Sequence, residues 1–194
     1  GMMIFGTRNL EQANQWLRAQ TGTDEEIDQR VEEAKKVFSG SELAGKTLGV
    51  IGLGNIGSRV ANDARRLGMK VLGYDPYLSI EHAWNLSHHV KRVHQLTELL
   101  QKSDYITVHM PATPETQGLL NWANLSQCKK GVILLNYARD EISNKKDILR
   151  AIDAGIVKFF GTDFGSECFN NCAQVFLTPH LGGSTKEAGL NCTR

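Results

Sequence analysis

The chain has 194 residues, 41% of them apolar and 22% charged, which is the composition of an ordinary globular domain and not of a disordered or fibrous chain. A formal net charge of +1 gives no electrostatic reason to expect binding to nucleic acid or to an anionic membrane. The four cysteines match no zinc-binding spacing and no secretory leader is visible, so we expect a cytoplasmic protein with free thiols and no metal site.

Residues 7–40 have a helical pattern in two segments, which Gly22 and Thr23 separate. Asp24 to Glu26 place acidic side chains at the start of the second segment, where the helix dipole favours them. The apolar stripes of the two segments contain Leu10, Ala13, Trp16 and Leu17, and then Ile27, Val31, Ala34, Val37 and Phe38. We interpret residues 1–44 as connecting helices whose apolar stripes form the interface of a homodimer.

Residues 46–75 have the pattern of a complete dinucleotide-binding unit. An apolar run over 47–51 predicts a buried strand, the glycine-rich segment 52–57 follows, and a helical pattern leads to a second strand over 71–74. Asp75 ends that strand about 20 residues after the first glycine, where an acid binds both ribose hydroxyls and repels a 2′-phosphate. The order of these parts predicts a site for NAD rather than an isolated glycine-rich turn.

Each glycine of this segment has a physical role. Gly52 permits a tight turn out of the strand, Gly54 lets the backbone approach a pyrophosphate, and Gly57 lets the helix pack close to the sheet. Asn55 and Ile56 begin the helix, whose unpaired N–H groups and positive dipole end favour phosphate.

Strand and helix patterns alternate through the rest of the chain, which predicts an α/β Rossmann fold: a doubly wound parallel sheet over 45–194 with an N-terminal helical extension. Four histidines crowd the segment 82–94, and we interpret them as surface residues because no nearby spacing supports a metal site. The further strands are predicted at 105–109, 132–136, 156–162 and 175–178, and the helices at 96–102, 122–130, 144–154 and after a capping box formed by Ser184 and Glu187.

Ligands of such sheets bind beyond the carboxyl ends of the strands. By position alone, that rule selects Gly52 to Gly57, Asp75, His109 to Pro111, Asn136 to Arg139, Asp163 to Glu167, and His180.

Four motifs in order resemble the D-isomer-specific 2-hydroxyacid dehydrogenases, and they lie at 45–57, 109–116, 136–139 and 178–185. The resemblance covers nearly the whole chain and implies an NAD-binding domain that serves hydride transfer from a small D-2-hydroxy acid. Residues 183–192 are especially similar to members that act on 3-phosphoglycerate in serine biosynthesis, so we expect that substrate. Besides the glycine-rich segment and Asp75, the resemblance implies cofactor contacts at Met110, Pro111, Tyr137, Ala138, Asp163, Gly182 and Gly183.

The resemblance also implies catalytic roles for three residues. His180 takes the proton of the C2 hydroxyl, Glu167 orients His180 and raises its pKa, and Arg139 holds the substrate carboxylate. Two features depart from the family pattern: Asp140 stands where a glycine is usual, and the loop from Cys168 to Gln174 is short. An acid at position 140 can pair with Arg139 and so compete with a ligand for it. The short loop affects the distance between Glu167 and His180.

Most of the family's substrate domain is absent from these residues, so we expect dinucleotide binding but negligible turnover by this chain alone. Two alternatives stay open. One is a non-catalytic NAD(H)-sensing module of the same fold. The other is an S-adenosylmethionine-dependent transferase, against which Arg139 and His180 at later strand ends argue.

Overall fold

The computed structural model describes residues 1–186 and 188, in which three helices precede a series of parallel strands and connecting helices. The strands are β1 (Thr47–Ile51), β2 (Lys70–Tyr74), β3 (Val90–Arg92), β4 (Tyr105–Val108), β5 (Val132–Asn136), β6 (Val157–Thr162) and β7 (Val175–Leu177). The helices are α1 (Met2–Arg8), α2 (Leu10–Arg18), α3 (Asp24–Ala34), α4 (Asn55–Arg66), α5 (Ile80–Trp84), α6 (Leu96–Lys102), α7 (Trp122–Leu125) and α8 (Lys145–Asp153).

The strands form one seven-stranded sheet in the order β3-β2-β1-β4-β5-β6-β7, and every pair of neighbours is parallel. The strand order reverses between β1 and β4, which is the point where such sheets bind ligands. Ile51 pairs with both Tyr74 and Val108, so the carboxyl ends of β1, β2 and β4 lie level with one another. The predicted doubly wound parallel fold is confirmed.

Helices cover both faces of the sheet, and the side chains of the inner strands alternate between the two faces with a period of two. Ile106 and Leu134 point to the face covered by α6, α7 and α8, whereas Ile133 and Leu135 point to the face covered by α1 and α4. Every residue of β4 and β5 is buried. The rigid centre of the sheet therefore fixes the strand ends from which the candidate site is built.

The N-terminal helix begins at Met2, before the start of the predicted helical pattern, and it packs on β5 and β6. Gly6 allows this approach, because a Cβ atom there would lie 2.6 Å from the Phe159 ring. The buried Thr7 hydroxyl accepts a hydrogen bond of 2.9 Å from the Tyr105 hydroxyl. By contrast, α2 and α3 contain no fully buried residue, so they lie outside the main core.

Two short elements were not predicted from the sequence, namely α5 and β3. Strand β3 is three residues long at the edge of the sheet, and its two charged residues are exposed, so it lacks an apolar pattern. The predicted capping box after β7 lies partly outside the described residues, because it includes Glu187. No helix in the described part of the chain is long and apolar enough to cross a membrane.

Candidate functional site

The turn between β1 and α4 requires glycine at two positions. Gly52 has a φ of 89°, and a Cβ atom there would lie 2.7 Å from the carbonyl oxygen of His109. A Cβ atom at Gly57 would lie 1.9 Å from the carbonyl oxygen of Gly52, so a larger residue would push the helix away from the strand. The local sequence thus brings the first turn of α4 directly against the end of β1.

The space above this turn is open on the side of the helix N-terminus. A Cβ atom at Gly54 would have no neighbour within 4 Å, so a ligand can approach the backbone there closely. Gly54 is the N-cap of α4 and has no side chain with which to cap the helix. Asn55 and Ile56, the first helical residues, are both exposed. Their N–H groups and the dipole of a twelve-residue helix are suited to an anion.

A cleft of about 490 Å³ begins at this turn and extends along the ends of β2 and β4. It brings together five residues that were predicted from the sequence to bind the cofactor, namely Gly52, Gly54, Asp75, Met110 and Pro111. His82, which was interpreted as a surface residue, also lines it. Another cavity of about 470 Å³ lies beside α1 and β6 and contains none of the predicted site residues.

Two backbone N–H groups hold the carboxylate of Asp75 at the rim of the cleft. Oδ2 accepts a hydrogen bond of 2.8 Å from the N–H of Leu53, and Oδ1 accepts one of 2.8 Å from the N–H of Tyr77. Each carboxylate oxygen has a second lone pair, so the group keeps the capacity to accept hydrogen bonds from two vicinal hydroxyls. The arrangement suits a ribose next to the glycine-rich turn.

His109 follows β4 and forms part of the floor of the cleft. Burial lowers its pKa from 6.5 to about 4, so its imidazole is neutral near pH 7. Its Nε2 lies 3.0 Å from the Thr107 hydroxyl. The sequence placed His109 at a strand end but gave it no role. In the structure it supports the turn, since its Cβ lies 3.3 Å from the position that a Cβ at Gly57 would take.

A buried asparagine organises the loop that presents Arg139. The amide nitrogen of Asn136 donates to the carbonyl oxygen of Arg139 and to the Ser143 hydroxyl, each at 2.8 Å. Its amide oxygen accepts a hydrogen bond of 3.1 Å from the N–H of Ala138. No specific role of Asn136 was predicted from the sequence, although a polar residue at the end of an apolar strand is a signal for such a turn when it is fully buried, as here.

Among the described residues, the carboxylate of Asp140 binds a lysine and not the neighbouring Arg139. Its carboxylate forms an ion pair of 2.8 Å with Lys145 at the start of α8. Arg139 is exposed, and its guanidinium donates to the carbonyl oxygen of Ala138 at 2.7 Å. The guanidinium of Arg139 therefore keeps N–H donors for a ligand, although Asp140 stands where the family usually has glycine.

His180 pairs with Asp163 and not with Glu167. The distance from His180 Nδ1 to Asp163 Oδ2 is 3.0 Å, and the aspartate side chain is only 5% exposed. Asp163 directly follows β6, whose neighbour β7 leads to the histidine, so sheet pairing brings the two together. Glu167 is exposed and begins a 3-10 turn, Glu167–Phe169, that is anchored in the core by the buried Phe169. The contact expected between Glu167 and His180 is thus not formed among the described residues.

Two buried polar atoms at this pair lack a hydrogen-bond partner within the described part of the chain. One is Oδ1, the second carboxylate oxygen of Asp163, and the other is the hydroxyl of Tyr137. Burial and the nearby Asp163 carboxylate raise the pKa of Tyr137 to about 12, so its hydroxyl stays a neutral donor. Buried polar groups normally have partners, so these two atoms fit the polar groups of a bound ligand. Gly182 and Gly183 follow in an exposed turn with open space around both.

Comparison with known proteins identifies the family. Residues 1–182 match the sequence model of the D-isomer-specific 2-hydroxyacid dehydrogenase NAD-binding domain. The chain belongs to this family. The expectation of an NAD-binding domain is confirmed, and the alternative of an S-adenosylmethionine-dependent transferase is not supported. The glycine-rich turn, the open space at Gly54 and the fixed carboxylate of Asp75 fit NAD as the cofactor.

Relatives of known identity agree with this assignment. The D-3-phosphoglycerate dehydrogenase of Methanocaldococcus jannaschii is 36% identical, over 97% of this chain and 34% of the relative. That of Bacillus subtilis is 44% identical, over 81% of this chain and 30% of the relative. The solved structure of Escherichia coli D-lactate dehydrogenase has a TM-score of 0.80 at 30% identity, over 97% of this chain and 57% of that one. The chain therefore spans about a third of the length of these curated relatives.

Proposed function

We propose that this chain is the NAD-binding part of a dehydrogenase that oxidises a D-2-hydroxy acid, with 3-phosphoglycerate as the substrate of the complete protein. The names of the two curated relatives support that substrate, which would place the protein in serine biosynthesis. The likeness to a D-lactate dehydrogenase supports only the wider class of 2-hydroxy acids. The observation that carries the proposed chemistry is the His180–Asp163 pair, which follows β6 and β7 at the same carboxyl edge of the sheet as the dinucleotide cleft.

The cofactor half of the site follows from the cleft. Backbone N–H groups at Gly54, Asn55 and Ile56 hold the diphosphate, and Asp75 holds the ribose hydroxyls. Further contacts to the dinucleotide come from the other predicted residues at the ends of β4, β5 and β6 and from the turn after His180. These residues are Met110, Pro111, Tyr137, Ala138, Asp163, Gly182 and Gly183. When bound, NAD supplies the nicotinamide ring that accepts the hydride from C2 of the substrate.

The substrate half of the mechanism uses proton transfer and charge. Asp163 holds Nδ1 of His180, which leaves Nε2 to take the proton of the C2 hydroxyl as hydride departs. The resulting imidazolium is stabilised by the same carboxylate. Arg139 binds the substrate carboxylate with its two-pronged donor geometry. Glu167 stays a predicted partner of His180, and that role requires its turn to move toward the histidine.

A homodimer of this chain is the proposed assembly, with residues 1–44 as its interface helices and residues 45–194 as the NAD-binding domain. The apolar side chains of Leu10, Leu17 and Val37 are 46%, 47% and 77% exposed, which favours a covered surface. We also propose a cytoplasmic location. The cysteines within the described residues, Cys128, Cys168 and Cys172, are free thiols, which suits a reducing compartment.

The proposed function is tested by measuring NADH production from 3-phosphoglycerate with this chain and with the full-length protein. Positioning of reactants contributes roughly 7–11 kcal/mol to catalysis. Loss of half of it, about 4–5 kcal/mol, slows the reaction on the order of a thousandfold or more. We therefore expect the chain to bind NADH with negligible turnover, and the full-length protein to be active.

The His180→Ala variant of the full-length protein separates the base from the rest of the site. We expect it to keep NADH binding and to lose most turnover. Full activity of that variant would contradict the assigned base. The alternative function is a non-catalytic NAD(H)-sensing module, which the solvent-directed Glu167 favours. It predicts a full-length protein that binds NADH and oxidises neither 3-phosphoglycerate nor other D-2-hydroxy acids.

A further inference from the structure

We propose that His82 is a positioning residue of the cofactor site, where it holds the amide of Asn55 so that the amide NH₂ group faces the diphosphate of the dinucleotide. The proposal deepens the NAD-binding function and depends on it. His82 lies in α5 and was predicted from the sequence to be a surface residue. In the structure, however, its side chain is half-buried and lines the cleft together with Asp75. The other three histidines of that segment are exposed.

Both ring nitrogens of His82 have a hydrogen-bonding neighbour. Nδ1 lies 2.9 Å from the Ser79 hydroxyl, and Nε2 lies 3.0 Å from Oδ1 of Asn55. The serine oxygen also accepts a hydrogen bond of 3.2 Å from the backbone N–H of His82, as the N-cap of α5. The serine hydrogen is therefore free to donate to Nδ1, and Nε2 then carries the ring hydrogen and donates to Asn55.

The hydrogen bonds from Ser79 to His82 and from His82 to Asn55, which we call the relay, set which end of the Asn55 amide faces the ligand. Because Oδ1 accepts from His82, the two N–H donors of the amide are left for other partners. Asn55 is the first residue of α4, beside the open space at Gly54 where the diphosphate is placed. The reverse orientation would turn a carbonyl oxygen toward a phosphate and repel it. His82 thus makes Asn55 a donor at the helix N-terminus instead of an acceptor.

A separate set of hydrogen bonds attaches the α5 segment to α4. The Asn62 amide donates to the carbonyl oxygen of Asn85 at 2.7 Å, and it accepts from the N–H of Ser87 at 2.8 Å. These bonds do not involve His82, so its replacement should leave the segment in place. The variant His82→Ala therefore removes the hydrogen bond to Asn55 and leaves the backbone of the α5 segment attached to α4.

The experiment measures the affinity of this chain for NADH and for adenosine, which has no phosphate. A hydrogen bond from a correctly oriented amide to a charged diphosphate is lost, so we expect His82→Ala to weaken NADH binding on the order of tenfold and to leave adenosine binding unchanged. Asn55→Ala should weaken NADH binding similarly, and the double variant no further, because both residues act through one contact. The exposed His88→Ala is the matched control and should bind NADH as the unaltered chain does.

Three results would overturn the proposal: unchanged NADH affinity in His82→Ala, an equal loss of adenosine affinity, or additive losses in the double variant. If His82→Ala fails to fold by circular dichroism, His82→Gln, which keeps a donor, and Asn55→Ala give the same comparison. Near-normal affinity in the first and a loss in the second support the relay, and any other pair of results refutes it. Failure of the unaltered chain to bind NADH would instead contradict the proposed function.

Discussion

The stability of this chain should fall between pH 7 and pH 5 because of His109. In the folded protein, burial lowers the pKa of this histidine to about 4, whereas an unperturbed imidazole has a pKa of 6.5. Between those two values the unfolded chain binds a proton that the folded chain does not. The contribution of the neutral His109 to the free energy of unfolding is therefore present above pH 6.5 and is lost progressively as the pH falls toward 4.

The size of the effect follows from the gap between the two pKa values. One pKa unit corresponds to about 1.4 kcal/mol, so the whole gap amounts to about 3.4 kcal/mol, reached below pH 4. Most of the change falls within a practical range, and the free energy of unfolding should decrease by about 2 kcal/mol between pH 7 and pH 5 from this residue alone.

Urea denaturation at the two pH values measures this contribution. The variant His109→Gln carries no titrating group but keeps an amide that can bond the Thr107 hydroxyl, so it should lose about 2 kcal/mol less than the unaltered chain between pH 7 and pH 5. The exposed His94→Gln is the control, and its pH dependence should match that of the unaltered chain. An equal loss in the His109→Gln variant would refute the assignment of a buried neutral imidazole.

Three further predictions concern the ligand, the histidine pair and the assembly. The chain should bind NADH more tightly than NADPH, and Asp75→Ala should narrow the difference by about tenfold, whereas equal affinities in the unaltered chain would contradict the role of Asp75. Nitrogen-15 NMR should find His180 with its hydrogen on Nδ1, and Asp163→Asn should reduce the population of that tautomer. Glu167→Gln should leave the population unchanged, and a reduction in this variant alone would identify Glu167 as the partner of His180. Sedimentation at micromolar concentration should find a dimer that Leu17→Glu dissociates, and a monomeric unaltered chain would count against the interface helices.

The sequence predicted the parts of the fold that depend on local pattern. Strands β1 and β5 were placed at their observed bounds, because each is an apolar run between turn residues. Strand β3 was missed because it is held by pairing with Gly73 and its neighbours in β2 rather than by its own composition. Helix α1 was missed at its start, since its contacts with Phe159 and Tyr105 lie far away in sequence.

The candidate site divides in the same way. The glycine turn and Asp75 belong to one contiguous unit, so a single stretch of sequence predicted their arrangement. The pairing of His180 depends instead on how β6 and β7 are aligned and on where an irregular turn directs Glu167. Those are properties of packing, and the resemblance to a family conveys the residue types but not the partner that this chain selects.

The proposed base follows a short edge strand of the sheet, so the binding of the dinucleotide and the placement of the base can be lost separately. Strand β7 has three residues, none fully buried, and it is held by β6 and by the contact of Phe176 with Phe5 of α1, whose ring centroids lie 4.3 Å apart. Edge strands of this kind open locally at a lower free energy than the sheet centre. In hydrogen exchange, amides around β7 should therefore exchange before those of β1 and β4. The domain would then pass through a state that retains its dinucleotide and has released its base, with Phe5 controlling how often that happens.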